Sequence, residues 1–119
     1  MANPETKIQN DIRLALEKAG IVVFRTNVGK VKTIDGRWFI TGLPSGHPDL
    51  YGFRPNDNQV FYIEVKTKTG RPRKDQVFFH KALSRHNAIH GIARSADDAL
   101  KIVNEGLVGF GFEKYEGMI

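Results

Sequence analysis

The order of segments predicts an α/β fold, a central mixed β-sheet flanked by helices, with antiparallel pairs wherever the connections are short. Three observations carry that expectation. Apolar residues recur at helical spacing near the start, in the third quarter and again near residue 100. β-branched and aromatic runs of strand length lie between them. Short turn-forming stretches, Asp35-Gly36 and residues 54–58, join neighbouring runs.

The opening helix can take Asn3 as its cap, Pro4 at its first position and Gly20 as its close. Ile8, Ile12, Ala15, Leu16 and Ala19 form its apolar stripe, and Glu5 falls on that same core-facing side, where a carboxylate needs a reason to be. Residues 21–26 read as a buried strand. Residues 31–34 and 37–40 flank Asp35-Gly36, a two-residue hairpin signal. A loop rich in breakers, 41–48, leads into a strand over 49–53. A turn over 54–58 follows, then a second strand over 59–66 and a Gly-containing loop over 67–71. A helix is expected from about Pro72 to His86 and a strand over 88–93. Ser95-Ala96-Asp97-Asp98 starts the last helix and Gly106 ends it. The Gly- and aromatic-rich tail from Leu107 to Ile119 has no assigned element; Phe110-Gly111-Phe112 with Tyr115 suits a strand or a dimer contact.

Composition narrows the function classes. At 119 residues the chain is read as one domain, 1–119. Its 40% hydrophobic and 26% charged residues argue against disorder as the main state. Eighteen Lys and Arg against thirteen Asp and Glu give +5, a balance that favours polyanions. The lack of Cys removes disulfides, thiolate metal sites and cysteine nucleophiles together. No apolar run approaches a membrane span and no signal-like stretch opens the chain, so a cytoplasmic protein with no membrane partner is expected.

Candidate chemistry concentrates at Pro48-Asp49 and Glu64-Val65-Lys66. Residues two apart on a strand share a face, so Glu64 and Lys66 point together. Antiparallel pairing of the two strands would bring Asp49, at the start of one, beside the end of the other. Two carboxylates converging with a lysine suit a hard cation such as Mg²⁺, and with it phosphodiester hydrolysis. The competing reading is a solvent face carrying a weak surface ion pair. Gln76 falls on the inward side of its helix by its spacing to Phe79 and Leu83.

Gly46-His47-Pro48-Asp49-Leu50, Tyr62-Ile63-Glu64-Val65-Lys66, and Gly70 with Gln76 at a helix start resemble the VRR-NUC branch of the PD-(D/E)XK nucleases. That branch includes small stand-alone phage and bacterial proteins and the nuclease domain of the Fanconi-associated nuclease. The resemblance runs from Glu5 to about Val103 and implies a restriction-endonuclease-like core. It also implies Asp49, Glu64, the Val65 carbonyl and Glu5 as metal ligands, with Lys66 as the catalytic lysine and Gln76 beside the site. The implied cofactor is Mg²⁺, with Mn²⁺ able to substitute. The implied activity is DNA cleavage leaving a 5′-phosphate and a 3′-hydroxyl, by a homodimer acting on four-way junctions or similar branched DNA. The setting it implies is a bacterial or phage-infected host cell. Two positions depart from the family pattern: His47, where a bulky apolar or other residue is common, and Arg73, where a small polar helix cap is common.

Lys68, Arg71, Arg73 and Lys74 follow the candidate site, and with Arg25, Lys30 and Lys32 they could form a groove that neutralises phosphates. Asn27-Val28-Gly29 could let backbone approach DNA, although a simple turn explains the Gly. His47, His80, His86 and His90 make an improbable zinc site without Cys. Trp38, Phe39, Phe78 and Phe79 could stack on unpaired bases, but core or interface packing is their default. A basic DNA-binding or assembly module on the same fold, without cleavage, is the alternative function. A sequence-specific cutter of linear duplex lacks any visible recognition element.

Overall fold

The computed structural model describes residues 3–26, 30–40 and 42–118, without the side chains of residues 30, 31, 39 and 40; the segment Asn27-Val28-Gly29 lies outside it. Its elements are α1 (Pro4–Lys18), β1 (Val22–Arg25), β2 (Lys30–Lys32), β3 (Trp38–Ile40), β4 (Leu50–Arg54), β5 (Gln59–Val65), α2 (Lys74–Arg85), β6 (Ile89–Ala93), α3 (Ala96–Glu105) and β7 (Val108–Phe110), followed by a 3₁₀ helix at Glu113–Met118. The expected α/β class is found. Five strands form a mixed sheet in the order β1-β4-β5-β6-β7, while β2 and β3 make a separate two-stranded ribbon. β1 pairs antiparallel with β4 across the inserted ribbon, and β4 with β5 across a short turn; β5, β6 and β7 pair parallel across α2 and α3.

Alternation along β5 and β6 divides the sheet into two faces. Phe61, Ile63 and Val65 with Ile89 and Ala93 point to one side, where Ile12 and Leu16 of α1 and Ala99, Ile102 and Val103 of α3 complete the main core. α1 follows its sequence signals closely: the Asn3 side chain accepts from the Glu5 N–H at 2.8 Å, and Pro4 opens the first turn. Tyr62, Glu64, His90 and Ile92 point to the other side, where Val77 of α2 meets Ile92 and Phe112 in a smaller core. α2 and the C-terminal turn roof the β5–β6 part of this face. Toward β1 and β4 the face is open, leaving Phe24 and Tyr51 exposed with their rings 5.4 Å apart.

The structure corrects the sequence reading at the hairpin. The hairpin turn is not a two-residue loop. Lys32 pairs with Trp38, and the Thr33 N–H donates to the Arg37 carbonyl at 2.7 Å, so Ile34, Asp35 and Gly36 form the loop. A two-residue turn of the type favoured in hairpins would need Asp35 at positive φ, and only Gly36, at +85°, is there. The strand alternative for the tail is found: Val108–Phe110 forms the fifth strand, with a register shift at His90/Gly91, and Phe112 after it is buried. Of the four aromatics, Trp38 and Phe78 are largely exposed, so core packing does not account for these two.

Candidate active site

The β4–β5 register sets the site. Leu50 pairs with Ile63 and Tyr51 with Tyr62, so Asp49, one residue before β4, falls level with Glu64. The Val65 N–H donates to Asp49 Oδ2 at 2.8 Å and locks that carboxylate against the end of β5. On the other side of Asp49, Thr26 donates to the Asp49 carbonyl from its N–H at 2.9 Å and from Oγ1 at 3.0 Å, and Oγ1 also reaches the Pro48 carbonyl. Asp49 is therefore fixed from both neighbouring strands.

The loop that delivers Asp49 needs a glycine at Gly46. That residue sits at φ +89°, and a Cβ there would stand 2.4 Å from the Asp75 carbonyl oxygen. Close backbone approach at this point seats the loop on the first turn of α2, where Ser45 donates to the Asp75 carboxylate. Asp75 is held below the ordinary carboxylate range, chiefly by that Ser45 hydroxyl and further by Arg73. Arg73 caps α2 with its backbone only: its N–H donates to Gln76 Oε1 at 2.8 Å. Gln76 thus supplies the cap that a small polar residue would otherwise give, and its amide nitrogen remains for the pocket it lines with Glu64.

Glu64 is 2% exposed, and neither of its carboxylate oxygens meets a donor. Its pKa is pushed up to about 9, first by burial and then by the adjacent Asp49 carboxylate, as a like charge and as a partner for a shared proton, against the opposing pull of the Lys66 and Arg73 cations. A buried, donorless carboxylate beside a second carboxylate is costly unless a cation joins them. The donor set is all oxygen, which suits a hard ion that takes one or two carboxylates and keeps several waters. Asp49, Glu64 and the Val65 carbonyl are the groups on hand for it.

The solvent-face reading of Glu64 and Lys66 is overturned, since both are buried on the face that α2 covers. Lys66 is 8% exposed and forms no ion pair among the described residues. Val65 is fully buried, and Gln76 lies in the pocket wall as its helical phase implied. Glu5 is half-buried in the first turn of α1. Among the described residues no group of three or more Asp, Glu or His side chains is gathered for an ion, so Glu5 stands apart from the Asp49–Glu64 pair. Lys32, Lys68, Arg71, Arg73 and Lys74 are exposed, as is Arg25, while Lys30 lies in β2.

Several residues around the site escaped the sequence reading. Arg94 donates to the carbonyls of Thr67 at 2.6 Å and Gly70 at 2.7 Å, and so ties down the loop that follows Lys66. A charged residue directly after a buried strand was the only hint. His80 and His90, ten residues apart, are hydrogen-bonded at 2.7 Å (Nδ1 to Nε2). His90 Nδ1 donates to the Ala88 carbonyl, and His80 Nε2 lies 3.0 Å from Glu116 Oε1. Burial holds the His90 pKa below the ordinary histidine value. This chain stacks on Phe112, pins the C-terminal turn to α2 and backs the pocket of Glu64 and Gln76. His47 is packed edge-on against Tyr51, Tyr62 and Phe79, with Nδ1 donating to the Pro48 carbonyl.

Comparison with known proteins identifies the family and the fold. The family model described as the VRR-NUC domain matches residues 3–97. A solved structure described as a VRR_NUC domain superposes with a TM-score of 0.63 at 22% identity, covering 85% of this chain and 95% of its own, a likeness of fold. No curated protein matches the chain in sequence. The family match spans β1 to β6, both halves of the carboxylate pair, Lys66 and Gln76, and stops inside α3. The chain belongs to the VRR-NUC domain family, a family of nuclease-type domains.

Proposed function

We propose that this protein is a metal-dependent DNA endonuclease that hydrolyses phosphodiester bonds. One observation carries the reading: the buried Asp49–Glu64 pair, in which both Glu64 oxygens lack a donor. Asp49 is held by the Val65 N–H and Glu64 by burial under α2, so the two side chains need not reorganise to hold Mg²⁺ or Mn²⁺. The ion, when bound, supplies an acidified water and positive charge beside the phosphate. Lys66, on the same face and two residues along, presents its ammonium to hold the phosphate or orient the attacking water. Gln76 lines the same pocket as Glu64. Glu5 is not gathered with the pair, and its part would be secondary.

Exposed Arg25, Lys32, Lys68, Arg71, Arg73 and Lys74, with Lys30 in β2, are the cations available to the DNA backbone, and the +5 charge favours a polyanion. The family resemblance supports a structure-selective activity on four-way junctions or related branches. It also supports a homodimer, because one chain with one site cuts one strand at a time. Purified protein with labelled linear, flap and four-way junction DNA, in Mg²⁺, Mn²⁺ or EDTA, tests this beside Glu64→Ala and Lys66→Ala. Metal-dependent symmetric cutting of the junction, lost in both variants, is the expected result. Binding of every DNA with cleavage of none under any metal would leave a non-cleaving DNA-binding module.

A further inference from the structure

The β2–β3 ribbon stands apart from the five-stranded sheet. Two strands alone are marginal in water, and among the described residues this pair packs extensively on no other element. It hides no apolar surface at its tip: Ile34 is fully exposed and Trp38 is 66% exposed. Polar contacts shape it instead. Thr33 Oγ1 bonds the Asp35 carboxylate, the Arg37 N–H donates to Thr33 Oγ1 at 3.1 Å and to Asp35 Oδ1 at 3.2 Å, and the Arg37 guanidinium pairs with Asp35 at 3.4 Å. The turn is thus built to present a tryptophan and an isoleucine to something outside the chain.

Its position says where. The ribbon is inserted between β1 and β4, adjacent strands of the main sheet, and both ends of the insertion meet at Asp49. Thr26, which follows β1, hydrogen-bonds to the Asp49 backbone, and the loop over 42–48 leads back to Asp49. The two ends of the insertion are thus anchored at the carboxylate pair. Its charge says what kind of partner fits. Residues 30–40 hold Lys30, Lys32 and Arg37 against one acid, Asp35. Lys32 and Trp38 are direct cross-strand partners and both exposed, a cation and an aromatic plane on one face. A second copy of this basic ribbon would be repelled. A nucleic acid offers phosphate to the lysine and a base face to the indole.

We propose that the β2–β3 ribbon is the substrate-selecting element of the site, with Trp38 stacking on an unpaired nucleobase next to the phosphodiester that Asp49 and Glu64 address. This rests on the nuclease reading and adds the feature of DNA that the site selects: an interruption of base stacking. Trp38 is the single tryptophan, so its fluorescence reports on the ribbon alone. The test uses the intact protein with Ca²⁺ in place of Mg²⁺ to hold DNA uncut. Labelled DNA anisotropy gives binding, and acrylamide quenching of Trp38 gives its exposure, for a continuous duplex and for the same duplex with a short unpaired gap.

The gapped DNA is expected to cut acrylamide access to Trp38 several-fold and the continuous duplex to leave it nearly unchanged. Trp38→Ala should lower the preference for gapped over continuous DNA about tenfold, as expected for loss of one stacked base, with Trp38→Phe restoring most of it. Because Trp38 is exposed, neither variant should shift the melting temperature. DNA bound with Trp38 as accessible as in the free protein would overturn the proposal and leave the nuclease reading standing. So would protection by both DNAs alike, or a Trp38 change that tracks protein concentration without DNA. Failure to bind any DNA would fail the nuclease reading, and this proposal with it.

Discussion

Glu64→Gln is expected to stabilise the metal-free protein, by an amount that depends on pH. The Glu64 carboxyl has an ordinary value of 4.5 and a folded value of about 9, raised first by burial and then by Asp49. A raised value means that the folded state prefers the protonated form. The stability this group allows is complete below its unfolded value and falls away as pH rises toward the folded one. Each pH unit in that window costs about 1.4 kcal/mol. Near pH 7 the metal-free fold is therefore held down by on the order of 3 kcal/mol, whereas Gln, which never ionises, escapes the cost. For a domain of this size that is about 10 °C or more in melting temperature. Urea or thermal unfolding in EDTA near pH 5, 7 and 8.5 measures it. Wild type and Glu64→Gln should lie close together near pH 5 and diverge as pH rises, with the variant the more stable. Mg²⁺ should lift the wild type and leave the variant unmoved. A difference between the two proteins that stays flat from pH 5 to 8.5 in EDTA would refute the argument, because it would mean that Glu64 ionises in the fold without penalty.

Lys66→Ala should keep the Mg²⁺-induced rise in melting temperature and lose cleavage by about 100-fold or more in single-turnover assays, since Lys66 acts on water or phosphate and not on the ion. Glu5→Gln should weaken metal binding less than about tenfold in calorimetric titrations, against near-complete loss in Asp49→Asn, because Glu5 lies outside the pair. Gly46→Ala should cost on the order of 3 kcal/mol in chemical denaturation, combining positive φ with a Cβ pressed on the Asp75 carbonyl. Metal binding near pH 7 should release close to one proton per ion, read from calorimetry in buffers of different ionisation enthalpy, since Glu64 enters the complex as a carboxylate.

The parts of the site that the sequence revealed are those set by local periodicity. Alternation in residues 59–66 placed Glu64 and Lys66 on one face, and the short turn after Phe53 implied the antiparallel register that levels Asp49 with Glu64. Helical phase turned Gln76 inward. The burial of Glu64 and Lys66 was not legible, because it depends on α2 and the loop over 42–48 closing over a strand face whose own pattern looks amphipathic. The His80–His90–Glu116 chain joins α2, β6 and the C-terminal turn, and no spacing rule links residues that meet only through tertiary packing. β7 is three residues long with a positive-φ glycine at its centre, and it is held by its place beside β6 more than by any strand preference. In the hairpin, Asp35-Gly36 correctly marked a turn, but one more residue entered the loop because Asp35 does not take the positive φ that a two-residue turn requires.

The carboxylate pair also explains why so much of the surrounding structure is devoted to backbone restraint. Two like charges brought level by a sheet register would separate if either strand could slip. Here Asp49 is bonded through its carboxylate to Val65 and through its carbonyl to Thr26, and its loop is seated on α2 through Gly46 and Ser45. Glu64 sits in mid-sheet, flanked by β4 and β6. The repulsion therefore cannot relax by movement and adds to burial in raising the proton affinity of Glu64; on the proposed reading a divalent ion would replace that proton at the same oxygens. A looser pair would ionise more easily in the metal-free protein and would gain less from the ion. On the metal-dependent reading, rigidity of the strand ends, more than the number of acidic residues nearby, would let two carboxylates and the Val65 carbonyl suffice as protein ligands.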